Sequence, residues 1–161
     1  MTYPRTTRSR RRTATAYPLS IMPATETLPD TLGPHDVIIR IHAVSLNYRD
    51  IAMLREGAYP APVEAGGICA SDCAAEVVSM GAEASKFKVG DRVAPTIDVG
   101  NLTGEERDAE AVVLGGNIPG VLREYAVFDE NVLVKLPDHL SWEEVGEPEN
   151  MYSLGISLLN N

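Results

Sequence analysis

From Asp36 to Ser45 the apolar side chains alternate, with Val37, Ile39, Ile41 and Ala43 on one side of the chain. A period of two predicts a half-buried strand. The period then changes. Ile51 and Leu54 lie three apart, as on one face of a helix, and Gly57 suits a left-handed helix end, so the segment 51–57 is predicted as a short helix. Between the two runs, Ser45-Leu46-Asn47-Tyr48-Arg49-Asp50 places polar side chains where a strand hands over to a helix. Such handovers are where a rigid scaffold displays its chemistry. Asn47 and Asp50 serve equally well as helix caps with no further role.

The rest of the chain is mostly strand and turn. Tyr17, Leu19 and Ile21 alternate, predicting a first strand over 15–22. A connector rich in turn residues follows at 29–34. Tyr59-Pro60-Ala61-Pro62 is extended, because each proline biases its predecessor away from helix. Ser71 to Met80 predicts a strand, small at first and β-branched at Val77-Val78. Phe87 to Val93 predicts a turn and then a strand. Val121–Phe128 and Val132–Leu136 predict two more, joined by a turn at Asp129-Glu130-Asn131. Thr103-Gly104-Glu105-Glu106 and Ser141-Trp142-Glu143-Glu144 are capping boxes, each announcing a helix. The first helix is predicted to run to Ala111. The second meets Gly146 and Pro148 within two turns, both poor helix-interior residues. Short strands with Gly and Pro turns predict a mainly β fold with short helices, a partly open β-barrel.

Composition narrows the functional classes. The 161 residues are 44% hydrophobic and 23% charged, and no apolar run approaches a membrane span. The apolar core of a secretory signal is missing as well. No membrane partner is expected. The net charge is −9, but the first twelve residues carry five arginines and no acid, leaving −14 for the remainder. An acidic body repels phosphate backbones, so no nucleic-acid partner is expected. The arginine-rich start over 1–14 has three readings: an organelle-targeting segment, a nucleic-acid or localisation patch, or a frayed lead into the first strand, of which the last is preferred. The location expected is cytoplasmic, with mitochondrial as the alternative from the arginine-rich start. Cys69 and Cys73 are the only cysteines, too few for a disulfide framework, and they suit buried apolar positions in a reducing compartment.

Five phrases stand in one order: Ser45 to Asp50; Ala70-Ser71-Asp72-Cys73-Ala74-Ala75-Glu76-Val77-Val78; Val89-Gly90-Asp91-Arg92-Val93; Arg123-Glu124-Tyr125-Ala126-Val127; and Leu136-Pro137 ahead of Leu140-Ser141-Trp142-Glu143-Glu144. Together they resemble the N-terminal, GroES-like catalytic domain of the medium-chain dehydrogenase/reductase superfamily, and more narrowly its alcohol dehydrogenase-like, quinone oxidoreductase-type members. The resemblance implies a GroES-like domain over 15–146, a divergent tail over 147–161, and a cofactor, NADP or NAD. It also implies a second, Rossmann domain with a Gly-rich turn at a helix N-terminus, and no Gly-x-Gly-x-x-Gly occurs in this sequence. Truncation, a frameshift or unusual splicing would account for that.

Zinc-dependent relatives place Cys where Asn47 stands and His-Glu where Ser71-Asp72 stands. Their structural zinc uses four cysteines in a loop matching roughly Ile97 to Val113, and none is present here. Zinc favours thiolate and imidazole ligands, so no metal is expected. Asp50 matches an outer carboxylate of the family site. A Ser/Thr proton relay of the zinc enzymes falls at Arg49 and is expected to be lost. The catalytic residues implied are therefore Asn47, Tyr48, Ser71 and Asp72, with Asn47 and Tyr48 also on the nicotinamide side. Asn47 and Tyr48 are the donors for a developing oxyanion, and Tyr48 is also a proton donor. The implied substrate is a quinone, enone or carbonyl, reduced by hydride. The chain alone is expected to be inactive and to associate, as a homo-oligomer or otherwise, through surface that a second domain would cover. The alternative is a non-catalytic interaction module or a subunit that docks onto a full-length relative.

Overall fold

A computed structural model describes residues 3–103, 106 and 111–146. The element order is β1 (Thr6–Arg12), β2 (Ile21–Thr27), β3 (Asp36–Ser45), α1 (Tyr48–Ala52), β4 (Asp72–Met80), β5 (Arg92–Pro95), β6 (Tyr125–Asp129), a 3₁₀ turn (Glu130–Val132), β7 (Leu133–Lys135) and α2 (Trp142–Gly146). Strands β1 and β2 pair as an antiparallel hairpin. The other five form a curled antiparallel half-barrel in the order β6-β3-β4-β5-β7. The mainly β, GroES-like architecture expected from the sequence is the one observed. Among the described residues no helix is long and apolar enough to cross a membrane.

The core follows from the period-two pattern. Val37 and Ile39 of β3 and Cys73, Ala75 and Val77 of β4 point into one cluster with Val93, Ala126 and Phe128. Each buried Val, Ile or Phe among them contributes about 1.5–3 kcal/mol. A second, smaller cluster joins Ala74, Ala94, Leu136 and Val145, so α2 covers the opposite face of the sheet. The Ser141 box forms as predicted. The Glu144 carboxylate accepts from the Ser141 amide at 2.8 Å, and the Glu144 amide donates to Ser141 Oγ at 3.1 Å. On that helix Trp142 stacks on His42 at 4.2 Å between centroids, and the Arg92 guanidinium lies 4.0 Å from its ring centre.

Three expectations are corrected. The arginine-rich start is a strand rather than a frayed lead: Thr6–Arg12 pairs along its whole length with Ile21–Thr27. Its inward side chains, Thr7, Ser9 and Arg12, are polar, so no apolar alternation advertised it. The strand expected over 15–22 is mostly connector, and β2 begins only at Ile21. The helix expected over 51–57 runs from Tyr48 to Ala52, and Gly57 takes its left-handed φ of 67° in the turn beyond. At Thr103 the reach-back of Glu106 is present, with hydrogen bonds of 3.3 and 2.9 Å. The helix that box announced and the tail 147–161 lie outside the described residues.

Candidate active site

The strand-to-helix handover is built by register. Ser45, the last residue of β3, pairs with Asp72, the first of β4. The chain leaves β3 through Leu46 and turns at Asn47, whose extended backbone (φ −108°, ψ 164°) caps α1. Two residues beyond the Ser45–Asp72 pair, the Asn47 side chain reaches back across the gap. Its Nδ2 donates to Asp72 Oδ2 at 2.6 Å, and Ser71 Oγ donates to the same oxygen at 2.7 Å. Three of the sequence-predicted site residues therefore converge on one carboxylate oxygen. Ser71 is fully buried, and its proton is committed to Asp72. Asn47 keeps its second amide N–H.

Tyr48 stands apart. It opens α1 at 81% exposure, and among the described residues its phenol has no hydrogen-bond partner. It neighbours Asn47 in sequence, but no hydrogen bond joins it to Asp72 or Ser71. Leu46 and Ile51 flank it, both exposed.

Asp50 holds the turn in place. Its carboxylate accepts from the Asn47 amide at 2.9 Å and from the Ala70 amide at 3.2 Å. Ala70 adopts φ 64°, a left-handed conformation that costs a non-glycine residue about 1–2 kcal/mol. Against Ala70 packs a glycine-rich loop. A Cβ on Gly115 would lie 2.5 Å, and on Gly120 2.1 Å, from the Ala70 carbonyl oxygen, so only glycine allows the approach.

Two arginines that the sequence reading left without a role grip this loop. Arg12, buried at the end of β1, donates to the Gly115 carbonyl at 2.7 Å and to those of Gly116 and Glu64 at 3.3 and 3.4 Å. Arg49 donates to the Leu114 carbonyl at 3.0 Å and to the Tyr59 hydroxyl at 3.3 Å. Neither role has a local signal, because the carbonyls that Arg12 and Arg49 meet lie 103 and 65 residues away along the chain. Cys69 and Cys73 are both free and buried, and burial raises both thiol pKa values, so neither forms a thiolate at neutral pH.

A dinucleotide pyrophosphate binds where a Gly-rich turn opens a helix. The two described helices are five residues each and open from Leu46-Asn47 and Leu140-Ser141 instead. The described residues do not fit the dinucleotide beyond its substrate-facing end. Zinc fits no better, because an amide, a hydroxyl committed to Asp72 and one carboxylate supply no thiolate or imidazole.

The curled half-barrel is the fold of the GroES-like domain of alcohol dehydrogenase structures. Residues 33–138 match the alcohol dehydrogenase GroES-like domain, and the chain belongs to that family, within the medium-chain dehydrogenase/reductase superfamily. It is 34% identical over 119 residues to a zinc-type alcohol dehydrogenase-like protein of Schizosaccharomyces pombe, covering 73% of this chain and 34% of that one. It is 36% identical over 116 residues to a quinone oxidoreductase of Pseudomonas aeruginosa, covering 72% and 29%. It is 35% identical over 137 residues to a trans-enoyl reductase of Gibberella fujikuroi, covering 84% and 32%. Among solved structures, a protein described as an alcohol dehydrogenase of Sinorhizobium meliloti superposes with a TM-score of 0.75 at 33% identity, over 90% of this chain and 43% of that one. The chain thus spans about a third of the length of these sequence relatives.

Proposed function

We propose that this chain is the substrate-side domain of an NAD(P)-dependent, zinc-independent oxidoreductase that reduces a quinone, enone or carbonyl. The observation that carries the reading is the Asn47–Asp72–Ser71 cluster at the β3–α1 turn. In this reading the hydride comes from a nicotinamide cofactor held outside the described residues. The chain's own residues bind and polarise. Asp72 and buried Ser71 fix the Asn47 amide, leaving its second N–H to meet a substrate oxygen. Exposed Tyr48 supplies the second donor, and its phenol is the proton source for the reduced product. Asn47 and Tyr48 therefore touch substrate, whereas Ser71 and Asp72 are positioning residues. The name of the fission-yeast relative includes zinc, but Asn47 and Ser71 offer this chain no comparable ligands.

The test is a titration of the purified chain with cyclohex-2-enone, followed by amide chemical shifts. Shifts are expected at the Asn47 side-chain amide, at Tyr48 and in the 114–116 loop, with millimolar affinity. Asn47→Ala is expected to weaken binding about tenfold. Cyclohexane binding as well as the enone, or enone shifts confined to another face, would overturn the reading. In parallel, the chain alone is expected to show no measurable NADH or NADPH oxidation and far less than one zinc per chain by elemental analysis.

A further inference from the structure

A groove of about 530 Å³ lies on a different part of the molecule, between the β1–β2 hairpin and the second half of β3. Segment 122–124 is stitched between those strands. The Arg10 amide donates to the Leu122 carbonyl at 2.9 Å, Glu124 N–H to the Arg8 carbonyl at 3.1 Å, and Ile41 N–H to the Glu124 carbonyl at 2.8 Å. Apolar lining comes from Pro23, Ile41, Ala43, Val44 and Leu122, and cationic lining from Arg8, Arg10 and Arg123. None of these residues belongs to the Asn47–Asp72–Ser71 cluster.

The charges here are not balanced. Arg8 is paired with Glu124. Glu26, the other nearby acid, is held by Ser9 and Arg11, and His42 is bonded to Glu76. Arg10 and Arg123 remain. Arg10 is exposed and solvated, whereas Arg123 is half-buried: the Glu26 charge attracts it, but among the described residues its guanidinium has no hydrogen-bond acceptor and its Nε is shut off from solvent. Arginine stays charged at any physiological pH. A guanidinium drawn into a protein without an acceptor is costly, and natural structures satisfy such groups. A mostly apolar cavity with a few convergent charged donors is the make-up of a small-molecule site.

We propose that this groove binds an amphipathic organic anion, its carboxylate or phosphate head on Arg10 and Arg123 and its hydrocarbon body along Ile41, Val44 and Leu122. The planar fork of arginine suits both head groups. The apolar lining explains why a bare inorganic anion would be a poor occupant.

Isothermal titration of the full chain with octanoate, octyl phosphate, octanol and inorganic phosphate tests this. One octanoate or octyl phosphate per chain is expected, at least about tenfold tighter than octanol or inorganic phosphate. The tighter of the two identifies the head group. Arg10→Gln and Arg123→Gln are each expected to weaken binding about tenfold or more. Arg5→Gln removes the same charge from the exposed Arg5–Asp30 pair and is expected to leave affinity unchanged. If Arg123→Gln fails to fold, Arg10→Gln decides against the Arg5 control. Octanol binding as tightly as octanoate and octyl phosphate, no saturable binding, or equal weakening by Arg5→Gln and Arg10→Gln would overturn the proposal.

Discussion

Glu26 shows how one side chain makes a polar strand fold. Its carboxylate accepts from Ser9 Oγ at 2.6 Å and from Arg11 Nε and a terminal guanidinium nitrogen at 2.7 and 2.6 Å. The Arg11 hydrogen bonds, with help from Ser9 and the Arg11 and Arg123 charges, lower its pKa from 4.5 to about 2 against the opposing effect of burial. The folded pKa lies below the unfolded one, so the native state binds fewer protons. The stabilisation is therefore complete above about pH 4.5 and is lost as pH falls towards 2. Partial exposure discounts it to about 1–2 kcal/mol. Denaturant titrations across pH should show Glu26→Gln less stable than the parent at pH 7, with the two curves converging between pH 4.5 and 2. A gap that is the same at every pH would mean the carboxylate charge contributes nothing.

At the scale of elements, legibility followed apolar periodicity. β3 and β4 carry alternating or β-branched runs, and their predicted bounds match the observed strands within one residue. β1 was missed because its buried positions, Thr7, Ser9 and Arg12, are satisfied by hydrogen bonds instead of by apolar contact. The polar cluster was legible in part. Asn47, Ser71 and Asp72 were chosen from motif positions and are found together, but their shared oxygen depends on the β3–β4 register, which no local pattern encodes. The glycine-rich loop is pressed onto the Cys69–Ala70 backbone, a long-range approach that no local pattern encodes. A Cβ on Gly120 would meet the Ala70 and Cys69 carbonyl oxygens at 2.1 and 2.3 Å. Gly90 has a left-handed φ of 93°, but nothing lies within 4 Å of its Cβ position. Gly90→Ala is then expected to cost about 1 kcal/mol from backbone conformation alone. Gly120→Ala is expected to cost about 3 kcal/mol or more, because backbone must move. Urea unfolding of both variants checks the order, and equal costs would show that the loop shifts freely.

For the whole molecule the question is what β1 does. Exposed Leu46, Tyr48 and Ile51 around α1 leave an apolar rim beside the polar cluster, and relatives about three times as long have further chain to lay against it. β1 is bonded to segments that lead into the candidate site. Its amides and carbonyls bond to segment 122–124 and to Gly67 and Cys69, so the hairpin is sewn to the half-barrel along one edge. Its last residue, Arg12, supplies the donors for the Gly115, Gly116 and Glu64 carbonyls. Removing residues 1–13 would strip the Gly115 carbonyl of its Arg12 donor, while the Gly116 and Glu64 carbonyls keep the Glu64 and Gly67 amides, and an orphaned buried group costs about 1–3 kcal/mol. It would also leave β2 without its partner strand. A domain of this size has only about 5–15 kcal/mol of stability in total. The shortened chain is therefore expected to lose cooperative unfolding or to aggregate. Arg12→Met in the full chain should lower stability by about 1–3 kcal/mol through the orphaned Gly115 carbonyl, whereas Arg5→Gln at the exposed Asp30 pair should change it by less than about 1 kcal/mol. A targeting segment that is cut away after import would behave in the opposite manner, since the remaining chain must fold without it. Thermal melts of the parent, the chain beginning at Ala14, and the Arg12→Met and Arg5→Gln variants separate the two. A shortened chain as stable as the parent would return the arginine-rich start to the role of a dispensable leader.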